Sequence, residues 1–152
     1  MNISTTRGDD PRDVEENKRR LAEAIGVRPE DMTFTHQTHT VNVAVVEEED
    51  RGKRFMETDG MVTNVPGICL VTFYADCVPL YLVDPVRKVI GLSHSGWRGT
   101  VNRMGRVTLE KMHEVYGTDP EDVVAAIGPS ICQDCYEVSE DVILEFQKNF
   151  RK

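Results

Sequence analysis

Two imidazoles and one thiol stand where apolar runs of this chain break. His39 precedes the run 41–46, Cys77 follows the run 68–74 and His94 follows the run 89–92. Two nitrogens and one sulfur at strand ends form a donor set for a borderline-soft metal, most simply Zn²⁺. A zinc ion held by three side chains keeps one position open, which separates catalytic from structural zinc. The same ligand types suit a copper centre. Cys77 as nucleophile with His94 as base would instead make a cysteine hydrolase.

The flanking residues add chemistry. His36 and His39 lie three apart, so along a strand they point to opposite faces. His39 shares the parity of Val41, Val43 and Val45 and is the ligand candidate; His36 has no assigned role. Either histidine alone also reads as a hydrogen-bonded core residue. Asp76, beside Cys77, is suited to take a proton from substrate or to orient a ligand histidine, and equally to close a turn. Ser93-His94-Ser95-Gly96-Trp97-Arg98-Gly99-Thr100 joins a strand to a helix. Its glycines and free N–H groups suit an anion such as phosphate. Arg98 adds a bidentate donor, and Trp97 or Tyr74 a face on which a base could stack. A tight turn around a core Trp is the plainer alternative. Cys132 and Cys135 form a C-x-x-C in a long loop, read as a wall of the site with free thiols; Cys69, inside a strand, reads as a small hydrophobe.

These residues need a scaffold, and 152 residues suffice for one domain with a core. Asp and Glu outnumber Lys and Arg by 26 to 18, a net charge of −8, which disfavours a duplex nucleic acid partner. The N-terminus shows no basic segment followed by an apolar stretch, and no apolar run approaches a membrane span. A cytoplasmic, reducing setting is therefore expected, in which cysteines bind metal or catalyse rather than pair. The sequence does not set an oligomeric state.

Asp9-Asp10-Pro11 starts a helix that Gly26 ends, with Val14, Leu21, Ala24 and Ile25 along one face. Residues 41–45 alternate as a strand, and 68–74 read as a strand buried on both faces. Residues 79–83 and 89–92 form a hairpin around Asp84-Pro85. Residues 100–116 form one helix with Val101, Met104, Val107, Thr108, Met112 and Val115 inward. Residues 123–127 form another strand, and Ser139 caps a last helix carrying Val142, Ile143, Phe146 and Phe150. Several strands, hairpin connections and about three helices predict an α+β sandwich of mixed sheets. Both ends read as cuts inside a larger domain.

Several stretches together are similar to the YfiH family, also called the laccase-domain family: Gln37-Thr38-His39, Thr58-Asp59-Gly60, Ala75-Asp76-Cys77-Val78-Pro79, His94-Ser95-Gly96-Trp97-Arg98-Gly99, Ile127-Gly128-Pro129-Ser130 and Tyr136-Glu137-Val138. Gly8-Asp9-Asp10-Pro11 with Glu16-Asn17 resembles the family's first helix. The resemblance covers nearly the whole chain, 1–152, as one YfiH-like domain shortened at both ends. It implies zinc on His39, Cys77 and His94, and phosphorolysis of adenosine, inosine and guanosine with adenosine deamination as a companion activity. Nucleosides and phosphate are then the small-molecule partners. The family's copper polyphenol oxidase label fits less well, because one His₂Cys site cannot supply several coppers. A catalytically silent zinc- or nucleoside-binding module is the alternative from outside the enzymes.

Overall fold

The computed structural model describes residues 2–4 and 7–150. Helix α1 (Pro11–Ile25) opens as the sequence predicts: the Asp10 side chain accepts from the Arg12 N–H, proline occupies the first turn, and Gly26 closes the helix at φ 75°. Val14 and Ala22 are its buried residues, whereas Ile25 is exposed.

A strand that the sequence reading missed follows, β1 (Met32–Thr35), buried along its whole length. It is the centre of a three-stranded parallel sheet, flanked by β3 (Arg54–Phe55) and β5 (Cys69–Val71). The run 68–74 therefore does not give a long strand buried on both faces. Its three paired residues lie half-buried at the edge of this small sheet, and the segment past Val71 turns away, so that Phe73 and Tyr74 line a cavity.

The second sheet carries more of the chain. Its order is β2 (Val43–Val45), β4 (Gly60–Thr63), β7 (Val89–Ser95), β6 (Val78–Asp84) and β8 (Val124–Ile127). The hairpin expected around Asp84-Pro85 is present, with β6 and β7 antiparallel from Val78↔Ser95 to Asp84↔Val89. Strand β2 starts two residues later than expected, which leaves His39 and Val41 in a loop. Strand β8 lies at the sheet edge and is exposed throughout.

Residues 100–116 are not one helix. Arg103 sits at φ 60° and divides the segment into α2 (Trp97–Val101) and α3 (Met104–Tyr116). The break brings the helix count to four, completed by α4 (Glu140–Asn149). Val101, Met104, Thr108 and Met112 face inward as expected; Val115 does not, at 40% exposed. On α4, Val142 is buried but Ile143 and Phe150 are exposed. Met112 packs with Val62, Leu82 and Val89 to form the core beneath the large sheet. Ala22, Met32 and Phe34 form a second core beneath the small sheet. The α+β architecture, a small parallel sheet and a larger mixed one each over its own core, follows directly from these two cores.

Candidate metal centre

Strand β7 runs through the middle of the large sheet and carries, one residue before its end, His94, which is 5% exposed. Its backbone N–H donates to the Asp59 carbonyl at 2.7 Å, and its Nδ1 donates to Asp59 Oδ1 at 2.8 Å. A carboxylate on Nδ1–H fixes the ring and leaves the Nε2 lone pair free for a cation.

Asp59 also builds the other arm. It begins the turn into β4 and is fully buried. Its Oδ1 accepts the His39 N–H at 3.1 Å. Its Oδ2 accepts the N–H groups of Thr38 (3.2 Å) and Thr40 (2.8 Å) and the Thr40 hydroxyl (2.8 Å). Three successive N–H groups thus converge on one carboxylate. The loop needs this support because His39 adopts φ 61°, a left-handed conformation that costs a non-glycine residue about 1–3 kcal/mol. Burial pushes the Asp59 carboxyl up, but the His94 imidazole, the Thr40 hydroxyl and the loop N–H groups outweigh it and hold it down at about 2.

Cys77 supplies the third atom from the residue just before β6. One ligand atom each from His39, Cys77 and His94 lie within 4.8 Å of one another. The two imidazole rings meet edge to face, with centroids 4.9 Å apart. Gly96 makes room for this convergence: a Cβ there would fall 3.0 Å from both Cys77 Sγ and His39 Nδ1. Burial pushes the Cys77 thiol up, and the carboxylates of Asp76 and Asp59 push it further. A cation beside the sulfur would reverse that balance, since a coordinating thiol is deprotonated. The donor set, the spacing and the histidine tautomer fit a tetrahedral metal with an open position.

Two hollows meet at this cluster. The larger, about 510 Å³, is lined by the three candidate ligands and by Tyr74, Arg54 and His36, among others. The Tyr74 hydroxyl is not free: it accepts from Thr72 (2.6 Å) and donates to the Ser93 carbonyl (3.1 Å), and burial first of all raises it to about 12. The smaller hollow, about 160 Å³, is mostly apolar and lies beside Cys77, Gly96, Trp97, Ile131, Tyr136 and Phe146. The loop after β8 therefore does form a wall, pinned where the Ile131 N–H donates to the Asp76 carbonyl. Cys132 and Cys135 are free and exposed on it.

The remaining candidates are placed unevenly. Asp76 lines both hollows and is exposed, but it does not orient a ligand histidine; Asp59 does, because the turn into β4 lies directly against β7. Arg98 is exposed with its guanidinium 4.4 Å from the Trp97 ring, and neither it nor Gly99 lines either hollow. Gly99 is buried against the His94 carbonyl. Sequence reasoning missed Asp59 and Gly96 as builders of the site, although Thr58-Asp59-Gly60 and Gly96 stood inside the motifs. Among the described residues this is the one group of three or more such side chains placed to hold a metal.

The whole sequence, residues 1–152, matches the family model described as multi-copper polyphenol oxidoreductase laccase, and the chain belongs to that family. A purine nucleoside phosphorylase of Deinococcus radiodurans is 47% identical over 141 residues, covering 93% of this chain and 54% of that protein. Adenosine deaminase RL5, from an unknown prokaryotic organism, is 38% identical over 155 residues, covering 97% and 59%. The crystal structure of YlmD from Geobacillus stearothermophilus superposes with a TM-score of 0.92 at 33% identity, over 97% of this chain and 57% of that one. The chain thus spans little more than half the length of these relatives. None of the described helices is long and apolar enough to cross a membrane.

Proposed function

We propose that the chain is a zinc-dependent purine nucleoside phosphorylase, acting on adenosine, inosine and guanosine, with adenosine deamination as a second activity. The observation that carries this reading is the convergence of His39, Cys77 and His94 beneath a cavity large enough for a nucleoside. Relatives named as a phosphorylase and a deaminase support the substrate class.

His39, Cys77 and His94 would hold the metal, which supplies a Lewis acid to polarise a substrate oxygen or to activate water. The chain's own residues do the rest. Asp59 keeps both histidine arms in place. Asp76, exposed on the cavity rim with its carboxylate beside Cys77, takes or returns a proton. Tyr74 and Trp97 offer faces for the base, one in each hollow. In phosphorolysis a phosphate oxygen bonds to ribose C1′ while the C1′–N9 bond breaks, and the base leaves with a proton.

The test is metal content of protein purified without added metal, paired with phosphate-dependent release of base from inosine. Near-stoichiometric zinc with phosphate-dependent release supports the proposal. Zinc without turnover indicates a silent binding module. The Cys77–His94–Asp59 alignment also suits a thiol nucleophile with an oriented base, so metal-independent turnover blocked by a thiol alkylator would establish the hydrolase instead. Copper with phenol oxidation would establish the oxidase.

A further inference from the structure

The anion-binding group of the large cavity is not the expected Arg98, which lies outside it. We infer that Arg54 is the residue that binds inorganic phosphate there, an inference that rests on the phosphorylase reading.

Strand β3 pairs with β1 in parallel, with Arg54 opposite Phe34. Paired residues of neighbouring strands present their side chains on the same face, so the guanidinium lies over the Phe34 ring, 5.7 Å from its centroid. The ring is itself stacked on Phe73, centroids 6.0 Å apart. Past β1, the His36 N–H donates to the Phe55 carbonyl at 2.8 Å, which holds His36 beside the same strand. Arg54 and His36 therefore reach the cavity together, and Arg7 lines it with them.

The charge balance points the same way. Among the described residues Arg54 has no carboxylate ion pair, a state it shares with Arg98 and Arg103 outside the cavity, whereas Arg51 and Arg28 are paired with Asp31. A second cation, Lys18, stands 5.6 Å from the Phe34 centroid but is paired with Glu15 at 2.6 Å, so Arg54 is the unpaired charge at this ring. Against these groups, Asp76 is the one carboxylate among the described residues that line the cavity, and it sits next to Cys77. In a chain of net charge −8, an unpaired, half-buried guanidinium facing a cavity is an arrangement for an anion. A guanidinium presents a planar fork of donors that matches phosphate geometry. The site it forms lies in the same cavity as the candidate ligands, where a phosphate oxygen could meet the ribose of a bound nucleoside.

The experiment compares the native chain with Arg54→Ala and Arg54→Lys, all first shown folded by circular dichroism. Binding of inorganic phosphate is read by calorimetry, and steady-state constants by base release from inosine. We expect Arg54→Ala to weaken phosphate binding and raise the KM for phosphate by about tenfold or more, with the KM for inosine nearly unchanged. Arg54→Lys, which keeps the charge and loses the fork, should fall between. Adenosine deamination consumes water rather than phosphate and should not change. Equal phosphate binding by native and Arg54→Ala protein, or none by the native protein at millimolar concentration, overturns the inference. If Arg54→Ala weakens adenosine 5′-monophosphate but not inorganic phosphate, the guanidinium reads a nucleotide and the inference also fails. Phosphate bound through Arg54 without any nucleoside cleavage would instead refute the phosphorylase reading and leave the anion site standing.

Discussion

The two histidines of the candidate metal centre are held by opposite means. His94 lies near the end of a central strand of the five-stranded sheet; it is buried, and both its backbone and its ring are tied to Asp59. His39 is exposed, sits in a loop at φ 61°, and no pairing within a sheet holds it. One arm is placed by the fold and the other by a single carboxylate. Asp59 belongs to both, since its Oδ1 faces the His94 ring and the His39 N–H, while its Oδ2 collects the groups of Thr38 and Thr40. The lesson is that an exposed ligand can be ordered without a sheet, provided that a buried charge organises its backbone.

Cys77 belongs to neither arm, and its loss is expected to have the largest effect. Cys77→Ala should abolish metal binding and turnover together, measured by metal analysis and the inosine assay. The thiol is half-buried and forms no disulfide and, among the described residues, no side-chain hydrogen bond, so the thermal midpoint of the metal-free protein should hardly move. A variant that stays fully active without metal would refute the metal-dependent mechanism.

Asp59→Asn tests whether one residue ties both arms. The amide has one acceptor oxygen where the carboxylate uses two. Turned one way, its NH₂ group faces His94 Nδ1, which must then become an acceptor, so that Nε2 carries the proton and can no longer bind a cation. Turned the other way, it faces the N–H groups of Thr38 and Thr40 and releases the loop. Either orientation should lower metal affinity by about 10–100-fold, and the buried groups left mispaired should cost about 1–3 kcal/mol of stability. Chelator titration and urea denaturation measure the two. Loss of stability with unchanged metal affinity would show that the carboxylate serves the fold alone.

Gly96→Ala is expected to act on the opposite balance. Gly96 has φ −71°, so alanine suits its backbone. The added methyl would nonetheless stand 3.0 Å from Cys77 Sγ and His39 Nδ1. His39, on the loop, can yield more easily than β6, so the His39 arm should open. Metal affinity should drop by about tenfold, and because Gly96 is buried the overpacked methyl should also cost up to about 1–3 kcal/mol of metal-free stability, less as the His39 loop yields. An alanine variant with native affinity would show that the loop has slack the structure does not display.

Much of this arrangement was legible in the sequence, and the exceptions have physical causes. The chemistry of His39, Cys77 and His94 is carried by residue type and by position at the breaks of apolar runs, both of which are local signals. The hairpin of residues 79–92 and the first helix likewise carry their own turn and cap residues. Asp59 was not legible as the organiser, because its partners lie between 19 and 35 residues away and are brought to it by the pairing of β4 with β7 on one side and with β2 on the other. Strand β1 was missed because its polar threonines are buried by tertiary packing, against the pattern of a strand with one wet face. The helix break falls on Arg103 and not on the glycine two residues later, Gly105, which lies inside the first turn of α3. Arg54 gave no signal either, since an unpaired guanidinium is visible only once the surrounding carboxylates are placed.

Thr40→Val should produce the smallest change and the sharpest separation of the two arms. The substitution keeps the β-branched shape and removes only the hydroxyl, which donates to Asp59 Oδ2 at 2.8 Å and accepts the Asn42 N–H at 3.2 Å. Losing such bonds costs about 1 kcal/mol, so metal affinity should weaken only severalfold. The loss falls on the loop, since Oδ1 and its bond to His94 Nδ1 are untouched. Imidazole NMR signals should therefore shift for His39 and stay in place for His94, whose Nδ1 proton should remain protected from exchange. If both rings shift together, Asp59 transmits the disturbance from one oxygen to the other, and the two arms are one mechanical unit rather than a rigid arm and a tethered one.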